Sequence, residues 1–218
     1  MRAESFAGLA RHVLAEPPRL GPVRLVAVDG PAGAGKTTFA RRLALALREH
    51  GATVAEIHVD DLLAGWTDLD GFWPRLEHGV LANLRGNEPG SYPRYDWHAG
   101  RFAEQVPVPV PDVLVLEGVS SARAVIRTEL TLAVFVTAPR ELRLRRGLDR
   151  DGGAMREHWL RWMADEDARF TAERTAEHVD LIVDGTATGL RAPDRQYLRR
   201  GPERGRSGRQ PTRGGEPP

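Results

Sequence analysis

The chain has no cysteine among its 218 residues, which excludes disulfides, thiolate metal sites and a cysteine nucleophile. Lysine is nearly as scarce: of the 31 residues that are Lys or Arg, only Lys36 carries an ammonium. No apolar run is long enough to cross a membrane or to serve as the core of a secretory signal. Met1 to Ala15 read instead as a short amphipathic helix, with Phe6, Leu9, Val13 and Leu14 on one side and Glu4, Arg11 and Glu16 off it. A cytoplasmic protein without membrane contact is the expectation. No internal repeat is evident. The remaining composition, 41% hydrophobic and 28% charged, is that of an ordinary globular domain with a full core, with a tail beyond it.

A formal net charge of +1 conceals an asymmetry. From Arg191 to Pro218 eight arginines face only Asp194, Glu203 and Glu216, so the rest of the chain is net negative. That terminal stretch is rich in Gly and Pro and has almost no apolar residues, a composition that cannot offset its own ordering entropy. Residues 1–189 are therefore expected to form the folded domain and residues 190–218 a disordered Arg/Gly/Pro-rich tail.

Five short apolar runs, Val23–Asp29, Val54–Asp60, Val113–Glu117, Leu132–Thr137 and Val179–Asp184, read as strands buried on both faces. Helical stretches alternate with them, at Lys36–Glu49, Phe72–Leu84, Ser121–Thr128, Arg140–Leu148 and Met155–Glu173. Such alternation predicts an α/β fold: a doubly wound parallel sheet of about five strands with flanking helices. Four runs close on a carboxylate, Asp29, Asp60, Glu117 and Asp184. Ligands of doubly wound sheets lie beyond the carboxyl ends of the strands, so these positions are where active-site acids are expected.

Lys36 falls inside Gly30-Pro31-Ala32-Gly33-Ala34-Gly35-Lys36-Thr37, a full match to the phosphate-cradling pattern G-x-x-x-x-G-K-[ST], with Thr38 following. A compact, flexible ammonium can reach between the β- and γ-phosphates of a nucleotide where a planar guanidinium does not substitute. The loop sits between a predicted strand and a predicted helix, the context the motif requires, so its amides and the helix N-terminus face the phosphates. Thr37 is placed to hold Mg²⁺ through its hydroxyl, and Glu117, at the end of a hydrophobic strand, is the acid expected beside the same cation. ATP and Mg²⁺ are the expected cofactors.

Asp60 and Asp61 end the second strand. Phosphoryl transfer to an alcohol needs a carboxylate that orients the hydroxyl and accepts its proton, and Asp60 is the first residue free to face the cleft. Asp61 either meets the substrate or caps the next turn. Tyr92-Pro93-Arg94-Tyr95-Asp96-Trp97-His98, running on to Arg101, is expected to be a substrate loop, with Tyr95, Asp96, Trp97, His98 and Arg101 as contacts; the plain alternative is a surface loop pinned by its aromatics. Trp66 and Trp97 suit a ligand platform or the core equally. The arginine-dense stretch Arg143 to Gly153 places Arg146 and Arg150 on one helical face, fit to neutralise a transferring phosphoryl group, with Gly152 and Gly153 as a hinge. Read plainly, it is a solvated face of Arg and Asp pairs.

Taken in order, GPAGAGKTT, VDD, YPRYDWHAGR, VLVLEG, RLRRGLDRD and HVDLIV resemble the uridine kinase and phosphoribulokinase family of P-loop kinases from about Val23 to Asp184. The resemblance implies that Asp60 is the hydroxyl-activating acid, Tyr95 and Asp96 belong to the nucleoside-side loop, Glu117 is the metal-side acid, and Arg146, Arg150 and Asp151 form the lid. The chain departs from that pattern after Asp60, where Asp61-Leu62-Leu63 stands in place of Ser-Phe-Tyr, at His98, which comes earlier than the family's substrate-loop histidine, and in the shorter lid. The activity implied is Mg-ATP-dependent phosphorylation of a small nucleoside-like acceptor. A nucleoside-monophosphate or sugar kinase on the same fold is the enzyme alternative, and a P-loop NTPase switch or accessory protein is the alternative of another class. Nucleic acid is not an expected partner except through the basic tail, and a homo-oligomer is left open.

Overall fold

A computed structural model describes residues 1–201 of the chain. Among these residues a seven-stranded sheet runs in the order β1-β9-β8-β7-β2-β6-β3, with β1 Arg2–Ser5, β2 Arg24–Asp29, β3 Val54–His58, β6 Val113–Glu117, β7 Leu130–Thr137, β8 Leu181–Asp184 and β9 Gln196–Arg200. Its heart is the predicted set of five parallel strands, β8-β7-β2-β6-β3. Side chains alternate along each strand, so one run of apolar residues feeds two cores. Leu25, Ala27, Leu114 and Leu116 face one cluster, and Val26, Val28, Val113 and Val115 face the other. The helices α1 Phe6–Ala15 and α2 Lys36–Glu49 cover the second cluster. In α2 the stripe Phe39, Leu43 and Leu47 recurs every four residues and is buried, each side chain contributing roughly 1.5–3 kcal/mol.

The opposite face is covered by α3 Phe72–Leu76 and α4 Ala82–Arg85. The expected single helix over 72–84 is broken between them by a wider π turn, Glu77–Leu81. There Gly79 lies so close to the hairpin β4 Gly90–Asp96 and β5 Arg101–Val108 that a Cβ would collide with the Ser91 carbonyl. That hairpin replaces the expected loop: residues 90–96 pair antiparallel with β5, and buried Tyr92 ties them to the core. The expected helix over Ser121–Thr128 shrinks to one 3₁₀ turn, Ala124–Ile126. The amides of Ile126 and Arg127 bond three residues back, to the Arg123 and Ala124 carbonyls, and the Arg127 guanidinium takes the Ala122 carbonyl. The helices α5 Arg140–Asp151 and α6 Arg156–Glu173 complete the fold.

The sheet also reaches past the expected boundary at Gly189. The strand β9 pairs antiparallel with β8 and in turn carries β1. Tyr197 is buried between Phe6 and Phe39, their ring centroids 5.3 and 5.4 Å away, and Arg200 grips Asp184 at 2.7 Å. The folded part thus includes residues 190–200; the remainder of the expected tail, residues 202–218, lies outside the described residues.

Candidate active site

The Gly30–Lys36 loop connects β2 to α2 at the carboxyl edge of the sheet. Its backbone is held on every side. Gly33 has a φ of 75°, and a Cβ on it would stand 2.6 Å from the Arg143 carbonyl oxygen, so α5 packs directly on the loop. Arg146 donates to the carbonyls of Gly33 at 3.0 Å and Gly185 at 3.2 Å. Asp29 is fully buried and accepts from the amides of Gly30, Ser120 and Ala122, joining the loop's start to the segment after β6. Burial pushes its carboxyl up to about 6, against those three amides. Of the four strand-end acids, Asp29 is therefore a brace under the loop rather than a cleft residue, whereas Asp60, Glu117 and Asp184 line the cleft. Asp184 is itself engaged by Arg200 and the Thr186 amide.

Lys36 is nearly buried and reaches back across its own loop to the Pro31 carbonyl, 3.2 Å away. Thr37 Oγ1 donates to Glu117 Oε2 at 3.2 Å, and His58 Nδ1 lies 2.7 Å from the same oxygen. Burial alone would raise the Glu117 carboxyl, but the His58 hydrogen bond, Lys36 and Thr37 outweigh it and hold it below the usual range. The hydrogen bond to Glu117 in turn raises His58. A carboxylate and a hydroxyl at this spacing are the hard oxygen donors that suit Mg²⁺. Among the described residues no group of three or more His, Asp or Glu side chains converges as a metal cage.

Asp60 and Asp61 sit not on the strand, which ends at His58, but on the 3₁₀ turn Val59–Leu62. Asp60 opens into the cleft, and desolvation by the surrounding walls raises its carboxyl, with Lys36 opposing the shift and Glu117 adding to it. The Trp97 indole donates to the Asp60 carbonyl at 3.1 Å, tying the hairpin tip to this turn. Burial raises Asp61 as well, and the Tyr92 hydroxyl lies 3.4 Å from its carboxylate.

These groups share one cleft of about 1190 Å³. One end is walled by Phe6, Phe39, Arg42, Thr186, Leu190 and Tyr197, the middle by the loop with Thr37 and Thr38, and the far end by His58, Asp60, Asp61, Trp66, Trp97, His98, Arg150, Asp151, Trp159 and Trp162. Trp66 meets Trp97, Trp159 and Trp162 edge-on at 5.8, 5.9 and 6.0 Å. Arg150 forms a two-pronged pair with Asp151, which also accepts from the Trp159 indole at 2.9 Å. Three expected contacts stand back from the cleft. Tyr95 packs edge-on against Trp97 and Phe102, Asp96 closes the hairpin turn by accepting from the amides of His98 and Ala99, and Arg101 is exposed opposite Asp96 on the hairpin. Sequence reading missed His58, two residues before Asp60, and Glu166, Trp159 and Trp162 on α6. It also missed the cleft wall built by the connection from β8 to β9.

No protein-family model matches the chain, and no curated protein does. Among solved structures the chain is similar to one described as a possible uridine kinase from Bacillus stearothermophilus, with a TM-score of 0.62 and 22% identity over 81% of this chain and 96% of that one. A candidate fructose transport system kinase from Silicibacter sp. TM1040 is a looser match, with a TM-score of 0.47 and 22% identity over 81% of this chain and 95% of that one. The YGR205w protein matches with a TM-score of 0.47 and 11% identity, over 81% and 89%. The first likeness shows the fold: a P-loop α/β domain of the kind seen in that structure, as the sequence pattern implies.

Proposed function

We propose that the chain is an Mg-ATP-dependent small-molecule kinase that transfers the γ-phosphate to the hydroxyl of an uncharged, ring-bearing acceptor, most like a nucleoside. The observation that carries this reading is Asp60: a carboxylate that opens into the cleft within the electrostatic reach of Lys36 and Glu117, at the end opposite the Phe39 and Tyr197 wall. An acid there could orient water as well as an alcohol, and the aromatic acceptor end beside it, which hydrolysis does not need, is what favours an alcohol. Magnesium held at Thr37 and Glu117 would neutralise charge on the phosphate oxygens, taking its remaining ligands from phosphate and water. Lys36 and the loop amides not bonded within the protein would hold the phosphates, with Arg146 bracing the loop through the Gly33 and Gly185 carbonyls. Asp60 would accept the acceptor's proton as its oxygen bonds to the γ-phosphorus and the bond to the β-phosphate oxygen breaks. A carboxyl raised above the ordinary range is a better base for that proton.

The acceptor end argues against a phosphorylated substrate. Asp60, Asp61 and Asp151 face the space there, and Arg150 is already committed to Asp151. Trp66 and Trp97, held edge-on to each other and backed by buried Trp159 and Trp162, offer instead apolar ring faces of the kind that stack on a neutral ring. This favours the nucleoside-like reading over a nucleoside-monophosphate or sugar-phosphate acceptor. The test is ADP release with Mg-ATP across nucleosides, nucleoside monophosphates, sugars and vitamin alcohols. Turnover with a neutral ring-bearing alcohol is expected; turnover only with phosphorylated acceptors, or stimulation by nucleic acid with no small acceptor, would overturn it.

A further inference from the structure

The phosphate loop is gripped from behind by a carboxylate that the loop motif does not call for. Glu166, on α6, is fully buried. Its Oε2 accepts from the Ala32 amide at 2.8 Å and from the Trp162 indole at 3.1 Å, while its Oε1 takes Arg143 Nη1 at 2.8 Å. Three donors on two oxygens, with no acceptor among them, are what an ionised carboxylate satisfies. Burial opposes that state and pushes the carboxyl up to about 7, against the Ala32 amide, Lys36 and Arg143, with Asp167 adding to the rise. A buried ion pair of this kind is a weak source of stability, since apolar residues of similar size often replace one without loss. The arrangement calls for another reason.

That reason lies in the peptide unit between Pro31 and Ala32. Its N–H goes to Glu166, and its carbonyl receives Lys36 Nζ at 3.2 Å and the Ala34 amide at 3.2 Å. A peptide is planar, so fixing the N–H fixes the direction of the C=O. We infer that Glu166 is a positioning residue of the phosphate site: by anchoring the Pro31–Ala32 peptide plane it sets where the Lys36 ammonium rests. Through Arg143 it also holds α5, the helix that carries Arg146 and Arg150, so the loop and the arginine face are registered to each other. This inference rests on the kinase reading, because the loop concerned is the one that would hold the nucleotide.

Two variants separate positioning from mere support. R143M/E166L and R143M/E166Q both remove the buried guanidinium, so neither leaves it unpaired, but only the second keeps an oxygen for the Ala32 amide. Lys36 is the sole lysine, so lysine labelled with ¹³C gives a single side-chain Cε resonance that reports on it directly. Mg-ATP affinity is measured alongside, with Tm as the control for folding. At matched Tm, R143M/E166L is expected to shift the Lys36 resonance and to bind Mg-ATP about ten-fold more weakly than R143M/E166Q, the size of one lost hydrogen bond. Identical Lys36 resonances and equal affinities in the two variants would overturn the inference. A wild-type chain that binds no Mg-ATP would overturn the kinase reading, while the Lys36 resonance, recorded without nucleotide, would still decide the positioning claim.

Discussion

Asp60 and Asp61 are neighbours of the same charge in different surroundings, and the proposed reaction uses them differently. The Asp61 carboxylate has the Tyr92 hydroxyl beside it, whereas Asp60 opens into the cleft and only its carbonyl is tied, to Trp97. Asp60→Asn is therefore expected to lower kcat by roughly 10²- to 10⁴-fold with little change in Mg-ATP affinity, and Asp61→Asn much less. A reversed ranking would move the base by one residue. The proposed reaction assigns the acid limb of the pH profile to the same carboxyl. A base works when deprotonated, and its pKa is raised, so kcat/KM is expected to fall with decreasing pH through an inflection above the 3.8 of an ordinary aspartate. Lys36 carries the other residue-scale prediction. Lys36→Arg puts a planar, bulkier cation into a nearly buried niche, and turnover is expected to drop by about 10² or more while Tm changes little. Near-normal ADP release from that variant would refute the phosphate-reaching role.

Elements differ in how plainly their sequences announce them. The helix α2 is bounded as its pattern predicts, because a glycine-rich loop, an apolar stripe and Gly51 mark its ends and face. The five parallel strands are legible for a similar reason: strands buried on both faces leave continuous apolar runs. The strand β9 is not, since Tyr197 and Leu198 are its only apolar residues and stand among arginines; its pairing with β8 and β1 comes from elements far away in sequence. The Ser121–Thr128 segment closes only a 3₁₀ turn: the amides of Ile126 and Arg127 bond three residues back and the Arg127 guanidinium takes the Ala122 carbonyl, while Asp29 and Glu173 tether the Ala122 and Ala124 amides, tertiary ties that no local window contains. The site divides along the same line. Lys36, Thr37, Asp60 and Glu117 sit on local motifs, whereas His58, Glu166 and the α6 tryptophans matter only through the partners the fold brings to them. Truncation distinguishes β9 from the residues beyond it. Ending the chain after Gly201 is expected to leave Tm unchanged, while ending it after Gly189 exposes the places filled by Tyr197 and Leu198 and frees Asp184, lowering Tm by about 10 °C or more. Equal Tm values for the two truncations would contradict the structural role of β9.

Among the described residues, the sheet holds one long cleft with the phosphate loop at its middle and an aromatic wall at each end; Asp60 and Asp61 stand toward one end, while Asp184, toward the other, is taken by Arg200. That polarity gives the proposed reaction its direction: nucleotide toward Phe39 and Tyr197, acceptor toward Trp66 and Trp97. The arginines of β9 belong to this frame, since Arg199 faces Glu4 and Arg200 holds Asp184, which removes two charges from the basic surplus that suggested a nucleic-acid partner. The most direct measurement follows the γ-phosphate itself, by ³¹P NMR of reactions containing Mg-ATP, an accepted ring-bearing alcohol and either the wild-type chain or Asp60→Asn. The wild type is expected to form one phosphate monoester for each ADP, with Asp60→Asn forming it at least about 10²-fold more slowly. Release of the γ-phosphate as inorganic phosphate at equal rates in both proteins, with no monoester formed, would contradict the account.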